Sequence, residues 1–137
     1  MKGPVPQPAA YAELAVTTNF SFLRGGSHPG DLVRQALVLG LAGIGIADRN
    51  TVAGVVRAHT TLEEIRSRAE KEGETLPPFK LAVGARLVFA DDTPDVIAYP
   101  VNRAGWGRLC RLLTLGKRRA DKGECHLTRA DLVTDAR

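Results

Sequence analysis

A chain of 137 residues, 44% of them hydrophobic, is long enough to bury one globular core, and this composition excludes a disordered protein. No apolar run approaches the roughly 18 residues of a membrane-spanning helix, so we expect a cytoplasmic protein that contacts no membrane. Two cysteines and three histidines offer little material for a zinc site. The net charge of +4 is concentrated after residue 100, where nine Lys/Arg and four Asp/Glu give +5.

Strand and helix signals alternate along the chain after a proline-rich stretch at 1–10, which we expect to be a flexible segment before a folded domain at 11–137. In chain order, the first predicted elements are a strand at 11–17, a helix beginning with a side-chain cap at 27–31, and a buried strand at 42–47. One long helix or two follow within 51–71, and then a loop at 73–78. The remaining elements are strands at 80–89 and 96–99, a helix at 102–115 and a capping box at 128–131. The last two strands are candidates for a hairpin.

This alternation predicts an α/β fold with mainly parallel strands. Four strands are too few for a closed (β/α)₈ barrel, so the pattern indicates part of a larger, distorted β/α barrel. An open half-barrel would leave strand edges and apolar surface exposed.

The loop after the first strand resembles the first motif of PHP domains, in which two histidines precede a Thr-x-Tyr-Ser-x-Leu-Asp-Gly pattern. The matching residues are Leu14, Thr18, Phe20, Ser21, Leu23 and Gly25. In this chain Ala15 and Thr17 occupy the two histidine positions. The resemblance therefore covers the motif but not its metal ligands.

Three further PHP motifs are matched in the same way. The second keeps Asp48 and has Arg49 in place of histidine, the third has Arg86 in place of glutamate, and the fourth has Asp95 in place of histidine. Asp48 is the best-placed carboxylate, because barrel enzymes carry reactive groups at the carboxyl ends of their strands.

Divalent metals need electron-donating ligands, and alanine and arginine supply none. Asp48 and Asp95 alone are too few for a metal site, so we expect no catalytic residue, no metal and no cofactor in this chain. We expect instead that Arg86, with Arg49 as a second candidate, pairs with Asp48 and fills the place of the metals.

Four cations near the end of the predicted third helix form the focus of the positive charge. They are Lys117, Arg118, Arg119 and Lys122. Two interpretations stay open: they contact phosphate groups of a nucleic acid, or they form a solvated helix end that complements the helix dipole.

Within PHP domains, the chain is similar to the N-terminus of error-prone DNA polymerases of the bacterial C family. Long matched runs carry this likeness, at 19–25 with 27–29, at 48–59, at 83–87, and at 107–120 with 122–128. It implies a noncatalytic, structural PHP domain in an enzyme for translesion DNA synthesis and DNA repair, whose polymerase carboxylates lie outside these residues. The implied partners are the remainder of the polymerase chain, DNA through the parent protein, and other damage-tolerance proteins.

Two other functions stay open at this point. One is a metal-dependent phosphoesterase or 3′–5′ proofreading nuclease, which would require bound manganese or zinc. The other is a phosphate-binding or single-stranded-DNA-binding module centred on residues 117–122.

Overall fold

The computed structural model describes residue 3 and residues 9–135, so most of the predicted flexible segment at 1–10 lies outside the described residues. The elements are β1 (Ala12–Val16), α1 (Pro29–Val38), β2 (Gly43–Arg49), α2 (Val55–Glu72), β3 (Lys80–Leu87), β4 (Val96–Ala98), α3 (Arg103–Arg118) and α4 (Arg129–Asp135). This order confirms the predicted α/β class.

The four strands form one sheet in the order β1-β2-β3-β4. β1 pairs with β2 and β2 with β3 in parallel, whereas β3 and β4 pair antiparallel. The mainly parallel sheet and the hairpin pairing of the last two strands are therefore confirmed. β1 lies at an edge and is largely exposed, as expected for an open sheet.

Some predicted helix boundaries differ from the observed ones. The segment within 51–71 forms the single helix α2, and α3 continues to Arg118, three residues beyond the predicted end. The predicted side-chain cap of α1 is wrong: His28 occupies the N-cap position without capping the helix. Its ring nitrogen lies 3.0 Å from the Asn19 amide nitrogen, so the side chain is engaged with the preceding loop.

Two apolar clusters cover one face of the sheet. Ile44 and Ile46 of β2 pack against α1 and α2, and Leu87 of β3 packs against α3. Successive side chains of a strand point to opposite faces, so Gly45 and Arg49 of β2 belong to the other face, which carries none of these helices. We call it the inner face.

A buried carboxylate fastens the loop after β1 to the end of β2. Asp48 is 1% exposed. It accepts hydrogen bonds of 2.7 Å from the Thr18 backbone N–H, the Thr18 hydroxyl and the Ser21 hydroxyl. The Ser21 hydroxyl oxygen in turn accepts from the Arg49 backbone N–H at 3.0 Å. Three donors to one carboxylate stabilise its charge without an ion pair.

The expected pairing of Arg86 with Asp48 is therefore wrong. Asp48 shares the face of Ile44 and Ile46, while Arg86 belongs to the inner face and lies 3.9 Å from an Asp95 carboxylate oxygen. Strand alternation keeps the two groups on opposite faces of the sheet.

The predicted capping box at the start of α4 is present. The Asp131 carboxylate accepts from the Thr128 backbone N–H at 2.9 Å and from the Thr128 hydroxyl at 3.0 Å. It also pairs with Arg119 at 2.7 Å. The hydrogen bond from Arg119, followed by those from Thr128, lowers the pKa of Asp131. The box thus joins α4 to the end of α3.

Replacing Asp48 with alanine should lower the free energy of unfolding by about 3 kcal/mol, because buried donors of Thr18 and Ser21 lose their acceptor. Urea unfolding measures this change. The matched control is Asp95→Ala, whose side chain is 45% exposed, and it should cost less than about 1 kcal/mol. Equal losses for the two aspartates would contradict the assignment of Asp48 as the buried anchor.

The contribution of Asp131 should depend on pH. The pKa of Asp131 is lowered in the folded state. Its contribution to the free energy of unfolding is therefore complete above the pKa that it has in the unfolded chain, and this contribution is lost as the pH falls through the pKa of the folded state. The difference in unfolding free energy between the natural chain and Asp131→Asn should therefore shrink between about pH 5 and pH 3. A difference that stays constant over this window would show that Arg119 and Thr128 do not stabilise the charge.

Candidate functional site

The strand ends of the inner face hold the positions at which the PHP motifs carry ligands. Arg49 and Arg86 are direct partners in the parallel register of β2 and β3. The two arginine side chains therefore extend from neighbouring backbone positions. Ala15 of β1 is exposed, and Asp95 precedes β4 and faces Arg86. The structure therefore brings the predicted inner-face positions to one edge of the sheet, and it removes Asp48 from them.

This set of side chains does not fit a divalent cation. Ala15 has no donor atom, and the two arginines would repel the ion. Within residues 9–135, no three His, Cys, Asp or Glu side chains come together as ligands. The chemistry of a metal-dependent phosphoesterase therefore has no ligand set among the described residues.

Tyr99 occupies the middle of the inner face. A Cβ atom on Gly45 would collide with the Tyr99 hydroxyl group, and one on Gly84 would lie 2.8 Å from the Tyr99 ring. The hydroxyl donates a hydrogen bond to the Leu14 carbonyl of β1. In a flat sheet β1 and β4 would be roughly 14 Å apart, beyond the reach of a tyrosine side chain, so the sheet must curl.

Burial raises the pKa of the Tyr99 hydroxyl; the Arg86 charge opposes this rise and the Glu13 charge adds to it. The group therefore stays protonated near neutral pH and remains a hydrogen-bond donor to β1. Sequence reasoning placed a strand at 80–89 but missed the role of Tyr99. The signal was available, because glycine inside a strand often marks the close approach of another group.

A cleft of about 870 Å³ opens beside the strand ends, and we call it the strand-end cleft. Its lining comes from the loop after β1, the β2–α2 connection, the end of β3 and the segment after α3. The lining residues that carry charge or an aromatic ring are Phe20, Phe22, Arg24, Arg49, Phe89, Lys117, Asp121, Lys122, Glu124 and His126. Residues far apart in sequence thus share one surface.

The segment after α3 reaches the cleft because it folds back tightly over the helix. A Cβ atom on Gly116 would lie 2.6 Å from the Cys125 sulfur and 2.7 Å from a Leu127 methyl carbon. The His126 backbone N–H donates to the Gly116 carbonyl, and the Ala90 N–H donates to the Leu127 carbonyl at 2.7 Å. Glycine at 116 therefore allows this segment to lie against β3.

The four cations predicted as phosphate contacts do not share one environment. Lys117 and Lys122 line the strand-end cleft, whereas Arg118 is exposed outside its lining and Arg119 is paired with Asp131. Burial raises the pKa of the Cys125 thiol and the Lys117 charge opposes the rise. Both residues line the cleft. Sequence reasoning did not single out Arg24 as a member of this group, because it lies almost a hundred residues away.

Comparison with known proteins gives a consistent set of relatives. No family model matches the chain. The chain is 62% identical over 122 residues to an error-prone DNA polymerase of Rhodopseudomonas palustris strain BisA53. The aligned part covers 89% of this chain and 10% of that protein. The error-prone DNA polymerase of Brucella abortus is 56% identical over 128 residues, covering 93% and 11%. That of Bradyrhizobium diazoefficiens is 54% identical over 129 residues, covering 90% and 10%.

Among solved structures, the chain matches a protein of Bifidobacterium adolescentis described as a metal-dependent phosphoesterase, with a TM-score of 0.48 and 26% identity. The match covers 95% of this chain and 44% of the phosphoesterase chain. None of the described helices is both long and apolar enough to cross a membrane. The chain spans about one tenth of the length of the polymerases it matches. By its sequence, the chain is homologous to one segment of the error-prone DNA polymerases, about a tenth of their length.

Proposed function

We propose that this chain is the PHP-type N-terminal part of an error-prone DNA polymerase and that its own role there is structural. The observation that carries the proposal is 62% identity over 122 residues to one such polymerase. In this proposal, DNA synthesis during damage tolerance and translesion repair is carried out in the cytoplasm by the remainder of the polymerase. Contacts with DNA and with other damage-tolerance proteins are made through that larger protein.

A structural role is supported by what occupies the inner face. The positions of PHP metal ligands hold Ala15, Thr17 and two arginines, and the Tyr99 ring covers the neighbouring glycines. An exposed edge strand and exposed apolar side chains, such as Leu14 and Leu23, offer surface that the rest of a polymerase would cover.

The proposal requires a cellular product much longer than this chain. An antibody raised against residues 11–135 should detect a band several times larger than 14.7 kDa in an immunoblot of the source cells. The relatives are about ten times as long as the matched part, which sets this expectation. A single band at 14.7 kDa would contradict polymerase membership.

The structural role also predicts weak metal binding. After dialysis against Mn²⁺ or Zn²⁺, the chain should retain well under one equivalent by elemental analysis, because its inner face offers no ligand set. The matched variant carries A15H, T17H, R49H and R86E and restores PHP-type ligand chemistry at four motif positions, so it should retain more metal than the natural chain. One equivalent or more on the natural chain would favour a metal-dependent phosphoesterase or nuclease.

A further inference from the structure

We propose that the strand-end cleft binds the phosphodiester backbone of a single-stranded nucleic acid. This site lies beyond the structural role proposed above and concerns the chain itself. It is formed by cations from three separate segments and by an exposed aromatic side chain beside them.

The charge of the cleft favours an anion. Arg24, Arg49, Lys117 and Lys122 line it, against two carboxylates, Asp121 and Glu124. Within the described part of the chain, none of these four cations makes an ion pair. Their charges are therefore available to phosphate groups, and closely spaced cations of this kind bind a phosphate backbone by releasing its counterions.

One of the two carboxylates lies beside a histidine. The Glu124 carboxylate is 3.6 Å from a ring nitrogen of His126. Asp121 belongs to the turn in which the Glu124 backbone N–H donates to the Asp121 carbonyl at 3.0 Å. The two acidic residues thus belong to the same segment as Lys122, whereas Arg24 and Arg49 come from the loop after β1 and the end of β2.

The aromatic side chains indicate an unpaired base. Phe20 has the Arg57 guanidinium 5.7 Å from its ring centre, which occupies one of its faces. Phe22 is 84% exposed and stands next to Arg24 at the cleft. A free aromatic face beside a cationic groove is the arrangement on which single-stranded nucleic acids stack their bases.

The loop geometry keeps Phe22 at the surface. Thr18 and Ser21 are held by Asp48, and Leu23 adopts a φ of 61°, an unusual backbone conformation for a branched side chain. The loop is therefore fixed at its base while its tip projects. Phe22 is thereby presented to solvent on an ordered support.

Fluorescence anisotropy with a labelled oligothymidylate of about 12 nucleotides tests this proposal on the 137-residue chain at low salt. Binding should weaken as salt rises. The double variant K117Q/K122Q should weaken binding and make the slope of log K against log salt shallower by about 1.4, since each lost phosphate contact accounts for about 0.7. The charge-matched control R111Q/R118Q changes exposed cations that do not line the cleft, and it should bind like the natural chain.

The aromatic contact is tested separately. Phe22→Ala should weaken binding of the single strand at least about fivefold and leave the salt slope unchanged, because stacking releases no counterions. A duplex of the same length should bind more weakly than the single strand, since its bases cannot reach Phe22. Far-ultraviolet circular dichroism confirms that each variant is folded before its affinity is compared.

Two results would overturn the proposal. One is the absence of salt-dependent binding by the folded natural chain, and the other is an equal loss for the two charge-matched double variants. Either result would leave the polymerase assignment standing, because that assignment is tested by the size of the cellular product.

Discussion

The structure depends on how the Asp48 carboxylate is satisfied. Burying an unpaired carboxylate would be costly, and here three donors from Thr18 and Ser21 stabilise it. The same contacts fix the loop after β1 against the end of β2, although the two segments are about thirty residues apart in sequence. The position of this loop decides where Phe22 and Arg24 stand, so one side of the strand-end cleft depends on this buried acid.

The inner face is filled by side chains of the sheet itself. It holds small side chains, two register-paired arginines and the Tyr99 ring, which lies over Gly45 and Gly84. The Tyr99 hydroxyl reaches the Leu14 carbonyl on the edge strand, so a single side chain links the two ends of the curled sheet. Packing and hydrogen bonding by Tyr99 therefore connect the strands across this face.

Much of the architecture could be predicted from the sequence. The strand of residues 42–47, the capping box of Thr128 and Asp131 and the antiparallel final hairpin depend on local patterns, and each is present. Hydrophobic alternation and turn chemistry act over a few neighbouring residues, so they can be read without the fold. The residue types at the positions of the PHP ligands could be read for the same reason, because a side chain's donor atoms are a property of the residue itself.

The partners of individual side chains could not be predicted in this way. The expected Arg86–Asp48 pair is wrong because alternation along neighbouring strands puts the two groups on opposite faces, and His28 contacts Asn19 instead of capping α1. Lys117 and Arg118 are adjacent in sequence, yet only Lys117 lines the cleft. The sequence by itself determined the elements and their order. Only the tertiary structure decided which charges converge, because that depends on strand register and on the return of residues 121–127 over Gly116.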